Sequence, residues 1–408
     1  MAAETTASPD LAKSFQTAVL DTGRIHDELN LLWGELGGPP KGGDAPGEMI
    51  AESNVGGGGI MRANTLNLLA VARNPKDAAL IAESVSRLRD FLPSRTIILL
   101  SRDERESADP DNRIFDVHVE LKEQKRLDEK SGLRFETITI SADHEEFGQM
   151  ASLVSPLIVA ELPDFLWWPG GGFARNALFE DLLKVVDRVI VDSAQLGRDA
   201  SGVAAMKDLI DEDEDSSAPL IGDFTWLRLG PWRQLIAQFF DPPDVQQSLA
   251  TIEEVTICYA DTRSDGSSGF ASALLTVGWL ASRLGWEIVD PLERRKSGAW
   301  SAPLKAQDGE RKRDISLRLL PDKSAQARFS LREVVIVAGR EAPGTFRVER
   351  TDEDDLITSS QSQTVPLVSR MVYAKRPSSE EMLGEELQRF GKDRVFEESL
   401  RFATQLLP

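Results

Sequence analysis

The sequence predicts an α/β protein: two α/β layers with mixed, partly parallel sheets, a C-terminal mainly antiparallel β section and flanking helices. Residues 162–193 have the order strand, Pro-Gly turn, helix, strand, which is that of a βαβ unit with two parallel strands. Residues 96–100 form a continuous apolar run, as expected for a strand covered on both faces. Between residues 313 and 373 apolar and polar residues alternate in several segments, which is typical of antiparallel strands.

Two tryptophans lie side by side in the first strand of the βαβ unit. That strand, residues 165–168, ends at Pro169 and three glycines, so the turn lies at its carboxyl end. In open α/β sheets this edge is where ligands and partners usually bind. Neighbouring strand residues point to opposite faces of a sheet. We therefore expect one of Trp167 and Trp168 to lie in the core and the other to be covered by another part of the protein.

Composition limits the classes of partner. The 408 residues suffice for two or three domains, and the net charge of −20 disfavours nucleic acid and anionic lipid. No apolar run approaches the roughly 20 residues that span a bilayer. The N-terminus lacks the basic-then-apolar order of a signal peptide, so we expect a cytoplasmic protein without membrane contact. Cys258 is the only cysteine, which excludes a disulfide within the chain.

The N-terminal segment is predicted to be an amphipathic helix followed by a tether. Within residues 1–36, apolar residues recur at alternating spacings of four and three from residue 11 onward, a stripe that packs against another helix. Residues 37–61 are rich in glycine and proline and are predicted to be a flexible linker. The helix either docks on another subunit or partner, which would allow self-association, or folds back onto its own domain; the second interpretation is favoured.

The remaining elements divide into two predicted domains, an N-terminal α/β domain at 62–175 and a C-terminal α/β domain at 176–408. In the first, we predict strands at 65–71, 96–100, 115–121 and 133–139 and helices at 74–92 and 145–157. In the second, besides the β section, we predict a strand at 255–259 and helices at 204–210, 230–240, 270–286 and 379–407.

No motif in the chain predicts a cofactor, a metal or a catalytic residue. The glycines at 56–59 precede a strand, whereas a phosphate-binding loop needs strand, glycines and helix in that order. The three histidines fall in different predicted elements without ligand-spaced neighbours. Asp192, at the end of a predicted strand, is either a site residue or a carboxylate that caps the next turn, and capping is favoured. The protein is therefore predicted to be no enzyme.

Tryptophan occurs repeatedly beside arginine or proline. Arginine stacks on indole, and both residues dominate hot spots of protein interfaces. Tryptophan-lined clefts also bind sugars, and large aromatic residues also fill the joint between two α/β layers. The helix at 270–286 carries one complete apolar stripe and a second face with tryptophan and arginine, which favours an interface there. The predicted partner interface comprises Trp167, Trp168, Trp226, Arg228, Trp232, Arg233, Trp279, Arg283 and Trp286.

Four segments in this order resemble the OpcA family, the glucose-6-phosphate dehydrogenase assembly proteins of bacteria. They are LPDFLWWPG, DRVIVDS, DFTWLRLGPWRQLIAQFFDPP and LLTVGWLASRLGW, and the resemblance extends over residues 62–291. The family implies a non-catalytic protein that binds glucose-6-phosphate dehydrogenase at the entry of the oxidative pentose phosphate pathway of carbohydrate metabolism. Thioredoxin control through cysteines, known in photosynthetic members, does not carry over to a chain with one cysteine.

Two functions follow as expectations. The favoured one is a non-catalytic assembly factor or allosteric activator that binds glucose-6-phosphate dehydrogenase and promotes its active oligomer. The alternative is a sugar-phosphate-binding enzyme or sensor with its site at the turn of residues 168–172.

Overall fold

The computed structural model describes residues 11–35, 64–88, 92–102, 115–124, 133–173, 176–195, 201–210, 218–261, 268–308, 311–323, 331–339, 343–351, 355–362 and 368–408. Its strands are β1 (Leu11–Thr17), β2 (Leu66–Ala72), β3 (Ser94–Ser101), β4 (Phe115–Gln124), β5 (Leu133–Ala142), β6 (Asp164–Trp168), β7 (Arg188–Val191), β8 (Leu220–Asp223), β9 (Ile252–Ala260), β10 (Trp286–Ile288), β11 (Glu293–Arg294), β12 (Trp300–Asp308), β13 (Arg311–Asp322), β14 (Leu331–Ala338), β15 (Gly344–Arg350), β16 (Leu356–Ser362) and β17 (Val368–Val372). Its helices are α1 (Thr22–Glu35), α2 (Pro75–Leu88), α3 (His144–Phe147), α4 (Met150–Val154), α5 (Ala177–Leu183), α6 (Ser201–Asp208), α7 (Phe224–Arg228), α8 (Gly230–Gln238), α9 (Pro243–Gln246), α10 (Phe270–Leu284), α11 (Ser379–Glu386) and α12 (Arg394–Gln405).

The chain packs into two compact units. Unit 1 comprises residues 1–191, 217–221 and 379–390, and unit 2 comprises residues 192–216, 222–378 and 391–408. The units are thus not the two continuous segments, 62–175 and 176–408, that the sequence favoured. Both contain mixed sheets with helices, and the predicted α/β class is confirmed.

The sheet of unit 1 has eight strands in the order β1-β4-β5-β3-β2-β6-β7-β8. Its central strands β5, β3, β2, β6 and β7 are parallel, and β1 and β4 pair antiparallel at one end. All seven residues of β2 are buried, which agrees with a strand covered on both faces. The predicted βαβ unit is confirmed as β6, α5 and β7. Asn176 caps α5 by accepting a hydrogen bond from the backbone N–H of Phe179.

The prediction of one long helix over residues 8–36 is wrong in its first half. Residues 11–17 form β1, which pairs antiparallel with β4, and only α1 is helical. The open edge of β4 supplies backbone hydrogen bonds that outweigh helix propensity in a short segment. The apolar side of α1 is buried, and Trp33 Nε1 donates to Glu136 Oε1 over 2.7 Å. The segment folds back onto its own unit; self-association stays a prediction. The linker at 37–61 and the glycines at 56–59 lie outside the described residues.

A buried guanidinium joins two parts of unit 1 that are distant in sequence. Arg188 of β7 donates to Glu386 of α11 through Nε, over 3.1 Å, and through Nη2, over 2.7 Å. The two side chains are 3% and 1% exposed. Burial raises the pKa of the Glu386 carboxyl, and Arg188 opposes that rise. Residues 379–390 are therefore an integral part of unit 1.

The sheet of unit 2 follows the order β10-β12-β13-β9-β14-β15-β16-β17, with β11 paired to β12. Neighbours are antiparallel except β13 and β9, so the predicted mainly antiparallel β section is confirmed. Besides β1, the sequence analysis missed β8, β10, β11, β12 and β16. Of these, β8, β10 and β11 are segments of two to four residues, too short for a period of two to show.

Three predicted helices differ from those in the structure. The helix at 270–286 ends at Leu284, because Gly285 adopts a left-handed conformation (φ 65°) and Trp286 begins β10. The second face of α10 is buried in its N-terminal half, where Ser272 and Thr276 are each 1% exposed. The single helix predicted at 379–407 is divided into α11 and α12, and Asp393 caps α12 by accepting from Phe396 N. Residues 145–157 form α4, most of α3 and a 3-10 turn rather than one helix.

Candidate functional site

The paired tryptophans of β6 are both buried. Trp167 is 0% and Trp168 1% exposed, so the expectation that the second would be covered by another part of the protein is confirmed. Phe179 of α5 packs edge-on against Trp168, with ring centroids 5.0 Å apart. The guanidinium carbon of Arg73 lies 5.3 Å from the centroid of Trp168. An aromatic ring and a cation therefore cover this indole from within unit 1.

Arg73 occupies the glycine turn where the alternative function would have its site. Its guanidinium donates to the carbonyl oxygens of Gly171 and, over 3.4 Å, Gly172. A Cβ on Gly170 would lie 2.9 Å from Asp77 Oδ2, and one on Gly172 would lie 3.1 Å from Arg73 Nη1. Gly172 has a φ of 75°, a conformation that favours glycine, and a side chain at Gly170 would require the end of the Asp77 side chain to move. Burial lowers the pKa of Arg73, and Asp77 opposes that change.

Unit 2 contains a buried acidic cluster, which we define as Asp192, Ser193, Asp223, Thr225 and Arg228. Asp192 accepts from Arg228 through both oxygens, over 2.8 and 2.5 Å. Asp223 accepts from Ser193 N at 2.9 Å and Thr225 N at 3.0 Å through Oδ1, and from Ser193 Oγ at 2.8 Å through Oδ2. Such a cluster of charge-assisted bonds ties residues 192–194 to the start of α7.

Asp223 is the most perturbed carboxyl of the cluster. It is 1% exposed, and burial together with the neighbouring charge of Asp192 raises its pKa to about 7. The hydrogen bonds from Ser193 and Thr225 oppose that rise. A buried acid that titrates near neutral pH beside a second carboxylate is the kind of group that occurs at functional sites, and also in structural networks.

Asp192 has the capping role that the sequence favoured. Its Oδ1 accepts from the backbone N–H of Ala194 over 3.3 Å and from Thr225 Oγ1 over 3.2 Å. The sequence analysis did not find its partner Asp223, although Asp223 directly precedes α7 and a residue of this type at that position indicates an N-cap. Arg73 was also missed, because no local pattern marks it.

Most of the residues predicted for a partner interface lie inside their units. Trp167, Trp168, Trp226, Trp232 and Trp286 are at most 5% exposed, so these five indoles lie in the interior of their units. Their area is instead used in cores, where aromatic burial is most favourable. A supporting role at an interface stays a prediction for these five.

Trp226 shows how such an indole is enclosed. Its Nε1 donates to Asp393 Oδ2 over 2.8 Å, and the guanidinium carbon of Arg233 lies 3.4 Å from its ring centroid. Arg233 Nη1 also donates to the carbonyl oxygen of Trp226 over 2.8 Å. The predicted pairing of tryptophan with arginine is thus real, but here it holds α7 and α8 together.

Two of the predicted residues keep access to solvent on α10. Trp279 is half-buried, and the side chain of Arg283 is 40% exposed and forms an ion pair with Glu398 of α12. In the described part of the chain, no group of three or more His, Cys, Asp or Glu side chains is placed to hold a metal ion. No described helix is long and apolar enough to cross a membrane.

Comparison with known proteins extends over most of the chain. Residues 85–208 match the family model described as the glucose-6-phosphate dehydrogenase subunit N-terminal domain, and residues 219–400 match the one described as its C-terminal domain. The fold, the charged side chains bound within their own units and these two family matches together define the class of protein. It is a two-unit α/β protein with both of these subunit domains. The chain belongs to the OpcA family.

Curated relatives agree with this membership. The chain is 27% identical over 279 residues to the putative OxPP cycle protein OpcA of Nostoc punctiforme, and 26% identical over 293 residues to that of Synechocystis sp.. These alignments cover 65% and 67% of the chain but 56% of each relative, so the chain spans a little over half the length of the relatives it matches. Among solved structures, a super-repressor mutant of Gal80p from Saccharomyces cerevisiae aligns over 85% of this chain and 95% of that one, with 9% identity and a TM-score of 0.40.

Proposed function

We propose that this protein is a non-catalytic partner of glucose-6-phosphate dehydrogenase that binds the enzyme and promotes its active oligomer in the oxidative pentose phosphate cycle of the cytoplasm. The observation that carries the proposal is the pair of family matches, both described as domains of a glucose-6-phosphate dehydrogenase subunit. The names of the curated relatives, putative OxPP cycle proteins, support it.

The contacts of the two charged groups at candidate sites also support the proposal. Arg73 at the glycine turn already binds two backbone carbonyls, and Asp192 already binds both arms of Arg228. While these charge-assisted bonds hold, both groups contribute to the stability of the fold. The charged side chains at the glycine turn and at Asp192 are therefore used to hold the fold.

A binding protein activates an enzyme by mass action. If it binds the active oligomer and not the inactive form, it stabilises that oligomer by RT ln(1 + [L]/Kd), which is about 2.7 kcal/mol at a concentration 100 times Kd. By linkage, substrates that favour the same oligomer must tighten the complex to the same degree. No bond needs to be made or broken by the partner itself.

The experiment is a titration of the purified dehydrogenase of the same organism with this protein. We expect a saturable rise in dehydrogenase activity, together with a larger oligomer in sedimentation velocity runs. Bovine serum albumin at equal mass serves as the control for non-specific stabilisation. A dehydrogenase whose activity and sedimentation stay unchanged over the whole titration would contradict the proposal.

Replacing Trp279 and Arg283 by alanine tests the predicted position of the interface on α10. We expect each variant to weaken the complex by about 2 kcal/mol if it is a hot spot. Arg347→Ala, another partly exposed arginine of unit 2 in an ion pair, is the matched control. If the α10 variants bind as tightly as the parent, the interface lies elsewhere although the function stands.

A guanidinium at a glycine turn is also what binds phosphate, and this observation favours the second candidate, a sugar-phosphate-binding enzyme or sensor at residues 168–172. Glucose 6-phosphate would have to displace the carbonyl groups that Arg73 already binds. We therefore expect the melting temperature of the isolated protein to stay constant at millimolar glucose 6-phosphate. A rise of several degrees that is lost in Arg73→Met would establish the second candidate.

A further inference from the structure

Strand β17 forms the last strand of the unit 2 sheet. It pairs antiparallel with β16, from Leu356 opposite Val372 to Ser360 opposite Val368. In the described ranges no strand pairs with its other side. A strand at the edge of a sheet presents unpaired backbone N–H and C=O groups, to which a further strand can be added.

Apolar side chains are exposed on and directly after this edge strand. Val368 is 52%, Met371 63% and Tyr373 79% exposed. Seven large hydrophobic residues are exposed in the part of the chain that the structure describes, and three of them lie within these six positions. Edge strands are usually protected by charge, proline or a covering segment, so this concentration indicates a surface that a partner covers.

The edge is basic, in contrast to the acidic chain. Arg370 and Lys375 are both exposed, whereas the whole chain has a net charge of −20. Among the described residues neither of these two side chains forms an ion pair with a carboxylate. A partner segment that complements this edge therefore carries acidic side chains.

A small cavity lies beside the edge, on the face of the sheet towards α8. Its volume of about 160 Å³ is below the range of metabolite sites and fits one side chain. Arg370 and Gln238 line the cavity and carry hydrogen-bond donors, so the cavity suits a carboxylate. The complete lining comprises Leu235, Gln238, Phe239, Thr358, Ser360, Val368 and Arg370.

The pairing of β17 with β16 shows on which face of the strand the cavity and the exposed apolar side chains lie. Val372 lies opposite the fully buried Leu356, so Val372, Arg370 and Val368 share the inner face of the strand. Met371 lies on the outer face, opposite Ile357. A strand that pairs with this edge meets arginine and the cavity on one face and apolar side chains on the other.

We propose that the free edge of β17 binds an extended segment of a partner protein as an additional strand, with acidic side chains of that segment on the face of Arg370 and apolar ones over Met371 and Tyr373. The inference rests on the proposed function in one respect, namely that the partner is glucose-6-phosphate dehydrogenase. A second copy of this chain fits less well, because antiparallel pairing of two β17 edges brings two copies of Arg370 and Lys375 to one seam.

The test compares binding of the dehydrogenase to the full-length parent and to Arg370→Glu and Met371→Asp. Both positions are exposed, so we expect unchanged melting temperatures and a Kd weakened about tenfold or more for each variant. The matched controls are Lys312→Glu, a charge reversal at an exposed residue of β13, and Val289→Asp, at a valine that is 41% exposed. In the complex of the parent, amides of β17 should exchange hydrogen more slowly.

The outcomes separate the two proposals. If the parent binds the dehydrogenase but both variants bind equally well and the β17 amides remain unprotected, the inference is wrong and the proposed function stands. If the parent does not bind the dehydrogenase at all, both are overturned. If the parent forms dimers by itself, and Arg370→Glu and Met371→Asp abolish the dimer and not the complex, the occupant is a second copy and the inference is wrong.

Discussion

Asp223 shows how a single residue combines burial with full use of its oxygens. It accepts three hydrogen bonds from Ser193 and Thr225, yet its environment is dry and contains the carboxylate of Asp192. Arg228 compensates one of these two acids directly, through Asp192. The second acid, Asp223, lies farther from the guanidinium of Arg228. Desolvation and the like charge of Asp192 therefore raise the pKa of Asp223 to about 7.

Asp223→Asn should remove a pH dependence of stability. A carboxyl with a raised pKa in the folded protein holds its proton more tightly there than in the unfolded chain, so stability falls as pH rises from its ordinary pKa of 3.8 to about 7 and is level above that. An asparagine Oδ1 can still accept from the two backbone N–H groups. We expect the variant to lose the decline between pH 6 and 7, measured by urea unfolding at several pH values.

The free energy of unfolding at each pH must be compared as the difference between the Asp223→Asn variant and the parent. Burial also raises the pKa of Asp164 to about 6, which contributes a decline of the same sign at lower pH in both proteins. If the variant keeps the full slope of the parent between pH 6 and 7, Asp223 is already ionised in the folded protein.

Arg228→Ala should be strongly destabilising for its size. The substitution leaves the Asp192 carboxylate, whose side chain is 7% exposed, without its guanidinium. Removing one partner of a buried ion pair costs about 3 kcal/mol or more. Arg347→Ala removes an arginine that is 45% exposed and should cost less than about 1 kcal/mol. Equal urea midpoints for the two variants would refute the importance of the acidic cluster.

At the scale of elements, α10 and α12 are held at short distance by a glycine. A Cβ on Gly278 would lie 2.0 Å from the carbonyl oxygen of Ser399 and 3.3 Å from the Cβ of Ala403. The two helices therefore meet backbone to backbone at this point. This contact lies beside the second face of α10, on which Trp279 and Arg283 keep access to solvent.

Gly278→Ala should separate these helices. The added methyl group meets backbone that cannot rotate away, so we expect a loss of about 1–3 kcal/mol in the free energy of unfolding. Gly34→Ala in α1, where nothing lies within 4 Å of the added Cβ, should be neutral or stabilising by up to about 1 kcal/mol. A gain in stability for both variants in thermal unfolding would show that α10 and α12 are not in close contact.

At the scale of the whole molecule, each unit is assembled from three separated stretches of chain. Unit 1 is complete only when residues 379–390 return to it, and Arg188 and Glu386 join positions 198 residues apart. Closing a loop of this length costs entropy before the contact contributes to stability. Folding of unit 1 therefore depends on the C-terminal part of the chain.

Glu386→Ala should therefore destabilise unit 1 as a whole. It leaves the buried Arg188 without its carboxylate, at a cost of about 3–5 kcal/mol. Hydrogen exchange in β6 and β7 is the measurement, and faster exchange of their amides is expected. Glu380→Ala, which removes the more exposed ion pair with Arg87 from α11, is the control and should leave exchange unchanged. Arg188→Met combined with Glu386→Leu should restore much of the stability.

Elements with strong periodicity could be predicted from the sequence alone. The βαβ unit, the buried strand β3 and the helix core of α10 follow from patterns of apolar residues that only one kind of element buries completely. Residues 11–17 were predicted as helix because a segment of seven residues fits both the helix period and the strand period. The edge of β4 decided in favour of a strand. The break between α11 and α12 was missed, although the apolar stripe of residues 383–390 is out of phase with that of residues 396–403 and Asp393 offers an N-cap.

The candidate sites were predictable only in part. Asp192 at a strand end and the glycine turn were marked by local sequence, because capping and turn chemistry act over a few residues. The side chains that bind at these two places were not predictable. Arg228 lies 36 positions after Asp192, and Arg73 lies 98 positions before Gly171. Pattern also does not distinguish a buried tryptophan from a half-buried one, as Trp226 and Trp279 show.

The sequence by itself determined the α/β class, the order of the central βαβ unit and the family to which the chain belongs, because these depend on local periodicity and on motifs that are continuous in the chain. Only the tertiary structure decided which charges are neutralised, which indoles are enclosed and which strand has an edge that no other described strand pairs with. These properties depend on neighbours that are remote in sequence, and desolvation and pairing act over a few ångströms in space whatever the separation along the chain.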